Sequence, residues 1–281
     1  MFLCRLSSYY VIAILFLFET KVKIICWEFK MKISIIGFGH VGKAMKKLFS
    51  EAIIYDKFLN IGTQNDVHNS DIAFICVPTP MNKKDGSCDT SAVEEVITWL
   101  ESKCIILRST VPVGFTDYLK AKYYKHIVFQ PEYYGETISH PFADLKNQSW
   151  LSFGGDPEDI SLAIKAYQTV LTSDVKINIY PACEVELAKY MENAFLALKV
   201  TFCNEMYDIA KALGVNYDIT REIWLSDPRI GRSHTFVYDD NRGYGGSCLP
   251  KDISSLKHQA DSHGADSLLI SAIIEKNKKY I

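Results

Sequence analysis

Three glycines, a cysteine and the run Leu-Pro-Lys-Asp stand together in GYGGSCLPKD, residues 243–252, and residues of these types at this spacing could carry nucleophilic chemistry. Cys248 reads in two ways, since an unpaired cysteine commonly packs as a small buried hydrophobe. Its neighbours favour the reactive reading. Gly243, Gly245 and Gly246 permit tight turns and let backbone approach a ligand closely, because no Cβ intervenes. Pro250 fits the first turn of a helix, where a missing N–H costs nothing. That predicts Cys248 at or near a helix N-terminus, whose partial positive charge favours a thiolate. Asp252 follows four residues on, one helical turn from the sulfur, within reach of a proton or a water.

The elements that must hold this stretch can be read from periodicity. The run MKISIIGFGHVGKAMKKLF, from Met31, begins with an apolar strand (32–36) that enters Gly37-x-Gly39-x-x-Gly42, and a helical pattern follows. Gly37 suits the tight turn, Gly39 the approach of backbone to a pyrophosphate at a helix N-terminus, and Gly42 the packing of helix on strand. A second strand (52–55) ends in Asp56, nineteen residues after Gly37, where an acid hydrogen-bonds adenosine ribose hydroxyls and repels a 2′-phosphate. The expected cofactor is NAD. Further strands are predicted at 72–77, 104–108, 126–130, 150–153 and 175–180, with helices at 90–101 and 157–171. Alternating buried strands and helices imply an α/β fold with a Rossmann-like, doubly wound parallel sheet over residues 31–180. Ligands then bind beyond the strands' carboxyl ends, which carry VPTP (77–80), RSTVPVG (108–114) and QPEYYGE (130–136).

After Tyr180 the pattern changes. Leu187, Met191, Ala194, Leu198, Phe202, Met206, Ile209 and Leu213 recur at three and four residues, with Gly214 closing the run. A helix of that length, about 45 Å, bridges two halves and offers a face to a symmetry mate. The expectation is an all-α dimerisation domain over 181–281. Lys189 and Asn193, four apart on this helix, can converge on a ligand at the junction, although a lone helical lysine is more often a solvated charge.

Composition bounds the rest. Apolar residues make up 48% of the 281, enough for a sizeable core, and 31 basic against 33 acidic residues leave no basic stripe to suggest nucleic acid. Eight cysteines (Cys4, Cys26, Cys76, Cys88, Cys104, Cys183, Cys203 and Cys248) form no C-x-x-C pair, so neither a metal site nor a disulfide framework is expected, and a reducing cytoplasm is the default. Residues 1–30 read differently: the apolar run 9–18 is too short to span a bilayer, and the segment is expected to be an extension ahead of a folding unit that starts at Met31, a targeting segment, or an added element.

Five ordered motifs resemble the UDP-glucose and GDP-mannose dehydrogenase family of nucleotide-sugar oxidoreductases: GYGGSCLPKD, AKYMENAFLALKVTFCNE (188–205), RSTVPVG, DPRIG (227–231) and PEYYGE. The resemblance covers nearly all of Met31 to Ile281. It implies a four-electron, NAD-dependent oxidation of a sugar primary alcohol to a carboxylate, with Cys248 as nucleophile through a thiohemiacetal and a thioester. By the same resemblance Lys189 stabilises the alkoxide and oxyanion, Asn193 orients the sugar, Asp252 and Thr110 hold or activate water, and Glu132 serves as base in hydrolysis. The cofactor would meet Gly37, Gly39, His40, Val41, Gly42, Asp56, Val77, Thr79, Pro80, Ser109, Thr110, Glu136 and Lys251. The substrate would meet Glu132, Glu136, Lys189, Asn193, Tyr244, Gly245, Gly246 and an Arg229 from the neighbouring subunit, which implies a homodimer. UDP-glucose is the expected substrate.

Three features depart from the family pattern. Members usually carry a third, C-terminal domain, and by the same resemblance the sequence to Ile281 is expected to lack it. The stretch between Asp56 and Asp71 is short for a crossover helix, and HTFVYDDNRG (234–243) is a few residues longer than the common loop. Two other readings stay open: a two-electron hydroxyacid-type dehydrogenase on the same plan, and an NAD-binding remnant without catalysis.

Overall fold

The computed structural model describes residues 31–135, 144–172 and 174–281. The expectation for residues 1–30 therefore lies outside the described residues.

The chain opens with β1 (Ile33–Ile36), α1 (His40–Leu48), β2 (Ile53–Tyr55), the single-turn α2 (Gln64–Val67) and β3 (Ser70–Ile75). It continues through α3 (Ser91–Trp99), β4 (Ser102–Leu107), α4 (Phe115–Tyr123), β5 (Ile127–Phe129), β6 (Trp150–Gly154), α5 (Pro157–Gln168) and β7 (Lys176–Tyr180). The strands form one sheet in the order β2-β1-β3-β4-β5-β6-β7. From β2 to β5 every pairing is parallel, as the alternating pattern requires. The sheet departs from the all-parallel expectation at β6, which meets β5 antiparallel through Phe129 and Gly154, while β6 and β7 are parallel to each other.

Period-two alternation sorts the buried strand residues onto two faces. Ile72, Phe74, Cys104 and Ile106 face α1 and α5 through Met45, Leu48, Ile160 and Tyr167. Ala73, Ile75, Ile105 and Leu107 face α3 and α4 through Val93, Ile97 and Leu119. The short stretch after Asp56 resolves into α2, whose Thr63 and Asp66 form a reciprocal capping box; one capped turn replaces a crossover helix.

The remaining described chain is helical: α6 (Ala182–Ala212), α7 (Tyr217–Trp224), α8 (Leu249–Ser262) and α9 (Leu268–Asn277). α6 has 31 residues and two unlike faces. Val185, Glu186, Lys189, Tyr190, Asn193, Ala194 and Ala197 are buried, and the small side chains among them let α8 and α9 approach. The large apolar residues Leu187, Met191, Phe195, Phe202, Ile209 and Leu213 lie exposed instead. Among the described residues no helix is long and apolar enough to cross a membrane.

Candidate active site

The glycine fingerprint separates by what each residue spares. Gly37 has φ +91° and a Cβ there would lie 2.7 Å from the Cys76 carbonyl oxygen, so β1 and β3 can part around the turn only with glycine. A Cβ on Gly42 would fall 2.0 Å from the Gly37 oxygen. At Gly39 a Cβ would meet nothing within 4 Å, so packing does not demand this glycine, whereas an approaching ligand would. Gly39 is also the N-cap of α1, with no side-chain cap and no acidic residue in the first turn, which leaves His40, Val41 and their neighbours on a helix N-terminus suited to a pyrophosphate. The position lies between β1 and β3, where the strand order reverses.

Asp56 does more than await a ribose. One oxygen accepts from the Phe38 N–H (2.7 Å) and the other from the N–H groups of Phe58 and Leu59 (2.9 Å each). Burial raises its pKa, but the three backbone donors outweigh that and hold it below the usual aspartate value. By lone-pair count a further donor can still be accepted.

The neighbouring strand ends are pinned to each other. The Thr79 hydroxyl donates to the Thr110 carbonyl (2.7 Å) and the Ser109 hydroxyl to the Val77 carbonyl (2.6 Å), so two of the three hydroxyls expected to face the cofactor join VPTP, with its Pro80, to RSTVPVG. Glu132 is ion-paired with Arg108, which is buried and also donates to the carbonyls of Gln130 (3.1 Å) and Pro131 (3.2 Å). Glu136 lies outside the described residues.

On the helical side, α6 and α8 present a continuous polar chain. Lys189 Nζ donates to Asn193 Oδ1 (3.4 Å), Asn193 Nδ2 to Asp252 Oδ2 (2.5 Å), and Lys251 pairs with the other Asp252 oxygen. Lys251, expected beside the cofactor, is thus committed to Asp252. Lys189, Asn193 and Asp252 are all buried, which excludes the solvated-charge reading of Lys189. Its ammonium lies 4.7 Å from the Tyr133 ring centroid, a cation–π contact from the Glu132 loop. The phenol of Tyr133 is pushed up by burial.

Cys248 is the N-cap of α8 and is exposed, so it is not a core residue. Its carbonyl accepts from the Asp252 N–H at 2.9 Å, the first helical bond, which sets Asp252 one helical turn on from Cys248. A Cβ on Gly245 or Gly246 would meet nothing within 4 Å, leaving open backbone next to the sulfur. Tyr244, expected at the substrate, packs its ring into the core between α6, α8 and α9, and its N–H and C=O are both taken by Asn277. Arg229 is exposed and pairs with Asp227 of its own turn. Among the described residues no His/Cys/Asp/Glu group is placed to hold a metal ion.

Sequence reasoning missed the residues that brace this arrangement. Glu186 ties α6 to the start of α4, Gln259 Oε1 accepts from the Val113 N–H (2.7 Å), Arg108 holds Glu132, and Asn277 holds the glycine turn. Glu186 alone carried a local signal, a carboxylate on the helix face shared with Val185, Lys189 and Tyr190.

Residues 44–147 match the NAD binding domain of the UDP-glucose/GDP-mannose dehydrogenase family, and residues 183–279 match that family's central domain. The chain is 33% identical over 234 residues to UDP-glucose 6-dehydrogenase of Rickettsia prowazekii, covering 79% of this chain and 52% of the relative. It therefore spans about half the length of the curated rickettsial relatives it matches. The structure superposes on a UDP-glucose dehydrogenase from the archaeon Pyrobaculum islandicum with TM-score 0.76 and 25% identity, covering 89% of this chain and 68% of that one. It also shares a fold with the 3-hydroxyisobutyrate dehydrogenase of Mycobacterium tuberculosis, at TM-score 0.65 and 17% identity, covering 89% of this chain and 93% of that one.

Proposed function

The chain belongs to the UDP-glucose/GDP-mannose dehydrogenase family, and from that premise we propose that it oxidises the primary alcohol of a nucleotide sugar, best matched by UDP-glucose, to a carboxylate in two successive NAD-dependent steps. The observation that carries this reading is an exposed Cys248 one helical turn above the buried Lys189–Asn193–Asp252 chain. A two-electron alcohol oxidation needs no thiol, whereas a four-electron oxidation gains from a covalent anchor that retains the aldehyde.

NAD, when bound at Gly39 and the N-terminus of α1, supplies the hydride acceptor for both oxidations. The chain's own residues do the rest. Lys189 carries positive charge to the sugar's alcohol oxygen and stabilises the alkoxide from which the first hydride leaves. The Cys248 thiolate adds to the aldehyde carbon, and the oxygen takes a proton to give a thiohemiacetal. Loss of the second hydride and of that proton gives a thioester. Water then attacks the thioester carbon, the C–S bond breaks, the carboxylate departs with release of a proton, and the Cys248 thiol is regenerated in place. Asp252, hydrogen-bonded to Asn193 and one turn from Cys248, would order the attacking water, with Thr110 as the second group assigned to that role. Glu132, as the hydrolytic base, would have to act while paired with Arg108, or after that pair rearranges.

The exposed apolar face of α6 supports a homodimer, and the outward-facing Arg229 supports a role in the neighbouring site. The described cysteines are unpaired, in keeping with a reducing compartment such as the cytoplasm. The two-electron reading draws on the fold shared with the 3-hydroxyisobutyrate dehydrogenase. Counting NADH formed per UDP-glucose consumed, with Cys248→Ser alongside, separates the two. Two NADH per sugar with the variant stalled supports the four-electron reaction; one NADH, unchanged in the variant, supports the alternative. No turnover with any nucleotide hexose, despite NAD binding, would leave the remnant reading.

A further inference from the structure

The turn that carries Cys248 is held from behind by a helix that no motif links to it. Asn277, at the end of α9, is buried. Its Oδ1 accepts from the Tyr244 N–H at 2.8 Å and its Nδ2 donates to the Tyr244 C=O at 2.9 Å. One side-chain amide thus satisfies both backbone groups of a residue that is itself buried and has no regular ladder to join. The preceding Gly243 has φ +72°, and a Cβ there would lie 2.6 Å from the same Asn277 oxygen and 3.0 Å from the Tyr280 Cβ. Gly243 and Asn277 therefore fit as a pair, and this glycine of the motif answers to α9, unlike the unobstructed Gly245 and Gly246.

We propose that Asn277 is the positioning residue of the nucleophile turn: its amide fixes Tyr244, and so sets where the chain enters the Gly245–Gly246 segment and how the Cys248 thiol is presented at the head of α8. The inference rests on the function proposed above for its catalytic consequence, but not for its effect on the thiol. Tyr244 has a second anchor, its ring, which packs with Ala194, Ala197, Ile253 and Ile273. Loss of the amide clamp alone should loosen the turn without detaching it.

The test compares wild type with Asn277→Asp and Asn277→Ser. In the first variant an oxygen replaces the donor that faced the Tyr244 carbonyl; in the second the side chain is too short to take both groups. The rate of iodoacetamide alkylation at Cys248, read on its own peptide by mass spectrometry, should change at least fivefold in both. The kcat for a nucleotide sugar should fall on the order of a hundredfold, while the NAD dissociation constant stays within twofold. Alkylation and kcat both within twofold of wild type, in folded variants that bind NAD, overturn the proposal. If wild type itself shows no turnover, the functional reading fails, and the alkylation rates still decide the role of Asn277. Hydrogen exchange on wild type keeps the test independent of folding in the variants: amide protection of Tyr244 should match that of α9, and rapid exchange of that amide beside a protected α9 equally overturns the clamp.

Discussion

Glu186, fully buried on α6, closes the N-terminus of α4 through Thr116: its Oε1 accepts from both the Thr116 N–H (2.9 Å) and the Thr116 hydroxyl (2.6 Å), while Oε2 accepts from the Gly114 N–H (2.6 Å). The contact joins the helical part to the RSTVPVG loop, hence to the strand ends that face the cofactor position. Burial pushes the Glu186 carboxyl up to about 7, against the opposing pull of the Thr116 and Gly114 donors. Its proton is then bound more tightly in the folded state than in the unfolded one, whose glutamate titrates near 4.5. The resulting contribution to stability is fully present below about pH 4.5 and is lost as pH rises through about 7. Urea unfolding at pH 5 and pH 8 should show this decline, on the order of 2 kcal/mol. Glu186→Gln should flatten it and cost roughly 1–3 kcal/mol at every pH, because its Nε2 would face the Gly114 N–H. An equal pH response in the variant would assign the decline to other groups.

Gly39 and Gly42 predict opposite phenotypes. Gly39 has φ −73° and open space where a Cβ would stand, so Gly39→Ala should cost only about 1 kcal/mol of unfolding free energy, the ordinary loss when alanine replaces a favourable N-cap residue. The added methyl projects where a pyrophosphate would approach, and NAD affinity should fall tenfold or more. Gly42→Ala sets a Cβ 2.0 Å from the Gly37 oxygen and should cost roughly 3 kcal/mol before any cofactor is added. Denaturant titration and NAD calorimetry on both variants check the pair. A stable Gly39→Ala protein with unaltered NAD affinity would move the pyrophosphate elsewhere.

Local pattern made the sheet and the long helix legible. All seven strands were readable because short runs rich in apolar and β-branched residues, such as Ile105-Ile106-Leu107, end at proline or polar loops. The reversal at β6 was not, because strand direction depends on which neighbour a strand meets, and Trp150–Gly154 looks alike run either way. The site divides similarly. Cys248 and Asp252 are four apart on one helix and could be paired by eye, as could Lys189 and Asn193. The braces could not: Glu186 reaches Gly114 across 72 residues and Gln259 reaches Val113 across 146. Such contacts are set by how α6 and α8 dock against the sheet, which no spacing rule encodes. The brace on Tyr244 was equally hidden, since its backbone groups are held by Asn277 of α9 from 33 residues away.

The buried Arg108–Glu132 pair predicts a strongly non-additive cycle. Arg108→Met would leave the Glu132 carboxylate at the strand end without its cation, and should destabilise by about 3–5 kcal/mol. Glu132→Gln keeps the shape and an acceptor but strands the guanidinium charge among the carbonyls of Gln130 and Pro131, with a smaller loss. The double variant should recover at least 1 kcal/mol of the summed single losses. Urea midpoints of the four proteins measure the coupling. Simple additivity would mean that the two side chains do not depend on each other in solution.

The exposed face of α6 predicts both an association and a shared site. Met191 is 61% exposed, Phe195 58% and Leu213 72%, on a helix whose other face is fully packed. Apolar side chains aligned over that length are stable in water only if a second surface covers them, and a helix facing its own copy meets this need by two-fold symmetry. Sedimentation should give twice the mass of the chain, and Met191→Lys with Phe195→Lys should give a single chain that still binds NAD. If Arg229 then serves the neighbouring site, Cys248→Ser and Arg229→Ala proteins, each inactive alone, should regain activity when mixed and allowed to exchange subunits. In such a mixed dimer one site holds the Cys248 of one chain and the Arg229 of the other. Recovery places the arginine across the interface. A mixture as inactive as its parts, in verified heterodimers, places Arg229 in the site of its own chain.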